Sequence, residues 1–427
     1  MITTALLTDR YELTMLGSAL RDSTAGRQCV FEVFARRLPD GRRYGVVAGT
    51  GRLLEAVAEF RFDDETIGRL RSDDVIDGVT AEYLRDYRFG GDIDGYPEGE
   101  LYFPHSPIVT VSGTFAEAVV LETLVLSIFN HDSAIASAAS RMVTAAAGRP
   151  IIEMGSRRTH EQAAVASARA AYAAGFASTS NLEAARRYGV PTAGTAAHAF
   201  TLLHDDERAA FEAQIAALGP GTTLLVDTYD ITRGIELAVE VAGPSLGAIR
   251  IDSGDLGVLA NQARDQLDRL GATGTKIVVS GDLDEFSIAA LAATPVDIYG
   301  AGTAVVIGSG APTAGMVYKL VEVDGRPVAK RSEHKESQGG RKTALRAHKP
   351  TGTAVEEIIV AQRVPEPGPG ERLLQRPLVR GGEPVPDLPS LSDTRRHLRD
   401  AMVTLPWDGL KLSKGEPAIP TRLIPGH

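Results

Sequence analysis

The sequence predicts an α/β fold: a mainly parallel sheet closed into a barrel, preceded by a mixed α+β domain and followed by a small appended subdomain. Three observations carry this. Short apolar segments recur from about residue 150 onward. Amphipathic stretches of helical periodicity separate them, as parallel strands with helical crossovers require. Six of these segments end in polar residues or glycine. A barrel gathers all such ends on one face, whereas an open doubly wound sheet concentrates its site near one switch point. The even spread favours the barrel, with the doubly wound sheet as the alternative.

Taken in order, residues 1–125 read as a mixed α+β domain, with a strand at 28–36, a helix at 51–60 and short strands between 91 and 111 punctuated by Gly95, Pro97, Pro104 and Pro107. A long helix over 117–147, rich in Ala and Leu, links it (residues 126–149) to the next domain. Residues 150–330 form the barrel. Its predicted strands are 151–152, 190–193, 224–226, 248–251, 277–279 and 296–299, with helices at 159–174, 205–218, 231–241, 256–270 and 284–292. Beyond Lys319 the rhythm breaks. Residues 331–427 comprise a basic stretch (331–346), a proline- and glycine-rich stretch (365–389) and one late helix (394–404), and read as a basic loop with an appended subdomain.

Composition excludes several classes. The 427 residues carry a net charge of −10, so a basic nucleic-acid footprint is not expected. Hydrophobic content of 43% and charged content of 23% are those of a globular chain. Cys29 is the sole cysteine, which rules out an intrachain disulfide and a multi-cysteine zinc site. No apolar run approaches the ~18 residues of a membrane span, and the opening MITTALLTDRYELTM lacks the pattern of a secretory signal. A soluble cytoplasmic enzyme is the expected class.

The chemistry-bearing candidates stand at the strand ends. IRIDSGDLG (249–257) places Arg250 and Asp252 two apart, hence on one face. A guanidinium suits carboxylate or phosphate, and a carboxylate beside it suits sugar hydroxyls; a structural ion pair is the competing account. SGDLD (Ser280, Gly281, Asp282) and YGAGT (Gly302, Thr303) follow consecutive strands, where glycines allow backbone N–H groups to approach phosphate. Each alone would be an ordinary tight turn. His198 in GTAAHAF follows Thr195, and a lone histidine is more often packed or exposed than functional. Asp227 in VDTYD suits magnesium or a hydroxyl, against plain helix capping. Arg157 and Arg158 in EMGSRRTHEQA are expected at a helix start, where cations are unfavourable unless an anion offsets them. Tyr11, in TDRYELTM, offers an aromatic face, with Asp9 as a mere cap in the other reading. Residues 331–346, with Lys335 and Lys342, are either a solvated charge run or a loop that closes over phosphates. There is no P-loop motif.

In this order, the segments resemble the nicotinate phosphoribosyltransferase family. TDRYELTM is similar to TDxYxLTM, EMGSRR to EFGxRR, and TSNLEAARRYGVPTAGTAAH to TSNxxAxxxxGxPxxGTxAH, followed by IRIDSGDL, SGDLDE, YGAGT, MVYKLVEVDG and SEHKESQGGRK. The resemblance runs from about Thr8 to Arg346. It implies a type II phosphoribosyltransferase α/β barrel in a homodimer with shared active sites. The implied reaction moves phosphoribosyl from phosphoribosyl pyrophosphate to nicotinate in NAD biosynthesis, with Mg²⁺ and ATP, coupled through a phosphohistidine. By motif position His198 would be that histidine. Tyr11, Thr195 and Arg250 would contact nicotinate, Asp252 the ribose, and Gly281, Gly302 and Thr303 the 5′-phosphate, with Arg157 near pyrophosphate. Two positions depart from the pattern: Met154 replaces an aromatic residue and Gly339 a proline.

The rival readings are a nicotinamide phosphoribosyltransferase and a non-catalytic barrel that binds a phosphorylated ligand. A quinolinate enzyme would not need His198. Asn181 leans towards nicotinate, since a neutral side chain does not repel its carboxylate.

Overall fold

The computed structural model describes residues 3–330, 338–386 and 388–426, and Lys335 falls outside them. The chain forms two compact units, Met1–Ser137 with Thr313–His427, and Ala138–Pro312.

The second unit is the βα-repeat region. Its parallel sheet runs, edge to edge, through Ser178–Thr179, Ile151–Glu153, Ile298–Ala301, Lys276–Val279, Ala248–Ile251 and Thr223–Leu225. The strands read as apolar runs because helices cover them: Ile249, Ile251, Ile277 and Val279 are fully buried. The predicted strand at 190–193 is reduced to one bridge, between Thr192 and Thr179 at the sheet edge. Pro191 lacks an N–H and contributes only its carbonyl, which accepts from Thr179. Among the described residues no ladder joins this edge to the Thr223–Leu225 strand, so the sheet is a part-closed barrel. Five helices match the predicted spans closely, at Glu161–Ala173, Glu207–Leu218, Ile231–Ala242, Leu256–Arg269 and Glu285–Ala290. Asp206, Asp230, Asp255 and Asp284 cap the last four by accepting backbone N–H groups of the first turn.

In the first unit a seven-stranded antiparallel sheet runs through Arg326–Pro327, Met316–Val323, Gln28–Ala35, Val109–Thr114, Asp92–Gly95, Arg376–Arg380 and Glu383–Pro384. A four-stranded sheet joins Glu371–Leu373, Lys342–His348, Ala354–Ala361 and Thr421–Ile424. The expected boundaries therefore shift. The sequence places Met316–Val323 in the barrel, yet the strand pairs antiparallel with Cys29–Ala35. The 331–427 stretch was expected as an appended subdomain, yet its Arg376–Arg380 strand pairs with Asp92–Gly95. Backbone pairing between segments hundreds of residues apart leaves no trace in local periodicity. The linking helix is in fact two, Phe115–Val119 and Glu122–Ala145. No described helix is long and apolar enough to cross a membrane.

Candidate active site

The strand Ala248–Ile251 sets the centre of the site. Strand alternation buries Ile249 and Ile251 on the helix side and turns Arg250 and the following Asp252 to the opposite face. Three arms of the Arg250 guanidinium are engaged: Nε donates to Ser280 Oγ at 2.8 Å, Nη1 to Thr195 Oγ1 at 2.8 Å and Nη2 to Asp252 Oδ1 at 3.1 Å. The Ser280 hydroxyl also donates to Asp252 Oδ1. Burial pushes the Asp252 carboxyl up, but Ser280 and Arg250 outweigh it and hold the group below the usual range, so it stays ionised. Thr195 lies just beyond the bridge at Thr192. The Arg250–Thr195 bond thus ties the segment beyond this sheet edge to the Ala248–Ile251 strand by side chains.

Asp227 follows the next strand, Thr223–Leu225. The capping account of VDTYD belongs to Asp230, whose side chain caps Ile231–Ala242. Asp227 is free of that role. Its Oδ2 accepts from the Asp252 backbone N–H and the Ser253 hydroxyl, each at 2.8 Å. Among the described residues its buried Oδ1 has no hydrogen-bond partner, and it faces His198 Nε2 at 3.8 Å. His198 opens the short helix His198–Leu203; its Nδ1 lies 3.1 Å from the Thr228 hydroxyl and its side chain is 42% exposed. Sequence reasoning missed Thr228, although its place next to Asp227 at a strand end was the available signal. It also missed Glu207, a buried carboxyl pushed up to about 6 by burial and by Asp230 and Asp227.

A pocket of about 220 Å³ opens among Met154, Arg157, Arg158, Arg250, Asp252 and the glycine turns. Ser280, Gly281, Asp282, Gly302 and Thr303 all line it, so five expected phosphate contacts converge. Gly281 has φ +101°, and a Cβ there would stand 2.5 Å from the Asp252 carbonyl oxygen; the turn needs glycine. Arg157 and Arg158 are exposed in the turn before the Glu161–Ala173 helix, not in its first turn. The dipole misfit expected of them is absent, and their signal is instead two guanidinium groups at a polar pocket. Asn181 caps Leu182–Tyr188 through Oδ1 and donates from Nδ2 to Ser156 Oγ at 3.0 Å.

Two expected residues belong to the first unit. Tyr11 lies on the helix Arg10–Arg21 with 46% exposure; partial burial, then Glu122 and Glu12, push its phenol up to about 12, so it is a neutral aromatic donor. Lys342 is not a loop cation. It is buried, with Nζ 2.8 Å from Glu32 Oε2 and 2.9 Å from the Gly340 carbonyl.

A part-closed parallel barrel with an Arg–Ser–carboxylate cluster, glycine turns and exposed arginines at its strand ends defines a type II phosphoribosyltransferase. The comparisons narrow the class. Residues 6–130 match the nicotinate phosphoribosyltransferase N-terminal domain model, and residues 135–309 the quinolinate phosphoribosyl transferase C-terminal domain model. The chain is 67% identical to the nicotinate phosphoribosyltransferase pncB1 of Mycobacterium tuberculosis, over 98% of this chain and 95% of that protein. The solved structure of human nicotinic acid phosphoribosyltransferase superposes with a TM-score of 0.83 at 27% identity, covering 96% of each chain. That of nicotinate-nucleotide pyrophosphorylase from Pyrococcus furiosus does so with a TM-score of 0.78 at 25% identity, covering 93% and 94%. The chain belongs to the nicotinate phosphoribosyltransferase family.

Proposed function

We propose that this chain transfers phosphoribosyl from phosphoribosyl pyrophosphate to the ring nitrogen of nicotinate, releasing pyrophosphate, in NAD biosynthesis, and that ATP hydrolysis is coupled to it through His198. The observation that carries the reading is the Arg250 fork, which joins Thr195, Ser280 and Asp252 at the mouth of a pocket lined by glycine turns. Cleavage of the C1–pyrophosphate bond builds positive charge on the sugar and negative charge on the leaving group. Asp252, held ionised, suits the ribose hydroxyls, and the Gly281–Asp282 and Gly302–Thr303 turns suit the 5′-phosphate. Arg157 suits the pyrophosphate. Arg250 and Thr195 orient the nicotinate carboxylate, so that the ring nitrogen meets C1 without an acid or base of its own.

For the coupling, an imidazole nitrogen of His198 attacks the γ-phosphorus of ATP and ADP departs; water later takes the phosphoryl group from the histidine. Asp227 stabilises the imidazolium character that this develops. A phosphohistidine brings charge and acceptors next to the pyrophosphate region, and coupling follows if that form binds phosphoribosyl pyrophosphate more tightly.

Magnesium fits only as a companion of the substrate phosphates. Among the described residues there is no group of three acidic, histidine or cysteine side chains disposed to hold a metal, and Asp227, expected as a ligand, has one oxygen spent on two donors. Mg²⁺ commonly binds through substrate phosphates and one or two carboxylates, and bound so it neutralises leaving-group charge. We also propose a homodimer in which Tyr11 of one chain serves the site of the other, which complementation between Tyr11→Ala and Arg250→Ala chains tests.

The deciding experiment incubates the protein with Mg²⁺, phosphoribosyl pyrophosphate, ATP and either nicotinate or nicotinamide, and identifies the mononucleotide. Nicotinate mononucleotide is expected; product from nicotinamide alone, or from neither base, overturns the reading. His198→Ala should abolish substrate-stimulated ATP hydrolysis and acid-labile phosphorylation while slow ATP-independent transfer survives. Continued hydrolysis in proportion to product removes His198 from the coupling.

A further inference from the structure

The first unit holds a polar pocket of about 340 Å³ between the helix Leu391–Val403, the strand Arg376–Arg380 and the loop around Glu98. Beneath it lies a fully buried carboxylate, Glu100, which three side chains share: Arg346 at 2.6 Å, Arg372 at 2.8 Å and His397 Nε2 at 3.0 Å. Arg346 also bonds Glu357 at 2.6 Å. A further cation, Arg376, lines the pocket half-buried. Among the described residues no carboxylate, carbonyl or hydroxyl bonds its guanidinium. Glu100 attracts it electrostatically but already holds Arg346, Arg372 and His397.

A guanidinium that has lost part of its water and gained no acceptor costs stability in the empty protein. Such a cost is retained where a ligand supplies the acceptor. The other acidic groups at the pocket do not supply it. Glu98 Oε1 accepts from the Gly49 backbone N–H at 2.7 Å, and Asp393 is taken by Ser390 and Arg396. Asp400 sits exposed on the rim. Burial weakens the Arg376 cation and the neighbouring Arg372 weakens it further, against the pull of Glu100, which is the condition an incoming anion relieves.

We propose that this pocket binds a small oxyanion, a phosphate or carboxylate group carried on a compact polar molecule, with Arg376 as its main contact and His397 beside it. The volume lies at the small end of ligand pockets, about 300–1,000 Å³, and exceeds what a bare ion fills. Asp400 at its edge disfavours a second anionic group and suits a hydroxyl or amine donor. The pocket is built wholly from the first unit, whereas the phosphoribosyl site is built from the second.

The test uses the full chain and two probes, inorganic phosphate and acetate, at fixed pH and ionic strength. The ring resonance of His397, assigned by its loss in His397→Gln, is followed by NMR during titration. A saturable shift is expected with at least one probe, and which of them saturates tells phosphate from carboxylate chemistry. In Arg376→Gln the half-saturating concentration should rise about tenfold or more, the worth of one charged hydrogen bond. The melting temperature of that variant, measured without probe, should be unchanged or higher, because an uncompensated cation has been removed. The absence of a saturable shift with either probe overturns the proposal. So does an unchanged half-saturation in Arg376→Gln, and so does a clearly lowered melting temperature, which would make Arg376 a structural group.

Discussion

Arg250 Nη2 lies 3.1 Å from Asp252 Oδ1, two residues further along the same strand end, and the hydroxyl of Ser280 is bonded to both. The ion pair therefore has a structural part in the site. It fixes the arginine fork towards Thr195 while it keeps the carboxylate charged at a pocket mouth.

This relationship makes Arg250→Lys an informative change. A lysine keeps the charge but has a single nitrogen, so it cannot serve Ser280, Thr195 and Asp252 together. Charged hydrogen bonds are worth about 1.5–3 kcal/mol each, and kcat/KM for nicotinate should fall by about a hundredfold, with most of the loss in the Michaelis constant for nicotinate. Steady-state kinetics at saturating phosphoribosyl pyrophosphate measures it; an unchanged Michaelis constant would detach Arg250 from the base.

Asp227 faces His198 with an oxygen that has no other partner. Asp227→Asn should cut substrate-stimulated ATP hydrolysis by about a hundredfold or more, in the range typical of losing an assisting charge at a reacting group. ATP-independent transfer should fall much less. The amide can still accept from Asp252 N–H, so the fold is expected to survive, which circular dichroism and a melting curve verify. Equal losses in both activities would show that Asp227 supports the sugar site rather than the histidine.

Much of the site was readable because its signals are local. Arg250 and Asp252 share a face by strand alternation, and the glycine turns stand at strand ends where any barrel builds its site. What escaped depends on partners distant in sequence. Lys342 reads as one charge in a basic run, yet its carboxylate partner Glu32 is 310 residues away. The two-residue strand Ser178–Thr179 has no apolar run to announce it, and Pro191 turned a predicted strand into one bridge. The Met316–Val323 strand was legible as a motif, but its membership of the first unit's sheet was not.

The burial of Lys342 leads to a stability prediction in place of a substrate-binding one. Glu32 accepts both the Lys342 backbone N–H at 2.6 Å and its ammonium at 2.8 Å. Burial pushes the Glu32 carboxyl up, and Lys342 offsets this only in part. Lys342→Met leaves that carboxylate without its cation, and removal of one partner of a buried pair costs about 3–5 kcal/mol. Urea denaturation should show that loss, and the double variant Glu32→Gln/Lys342→Met should recover part of it. A stable Lys342→Met protein with weakened phosphoribosyl pyrophosphate binding would instead restore lysine's role at the phosphates.

Glu207 supplies the pH dependence. Among the described residues its buried Oε1 has no hydrogen-bond partner, and burial, together with Asp230 and Asp227, raises its carboxyl from 4.5 to about 6. The native chain therefore holds this proton more tightly than the unfolded chain. Stability from this group is fully present below about pH 4.5 and is lost as pH rises through about 6, because the unfolded state then binds fewer protons. Glu207→Gln keeps the shape and removes the charge. Relative to wild type it should gain on the order of 1 kcal/mol well above pH 6, seen as a melting temperature about 2–4 °C higher, and should gain nothing at pH 4.5 or below. Melting curves of both proteins across this range decide the matter: parallel profiles, with the same offset at every pH, would mean that Glu207 does not titrate where its surroundings place it.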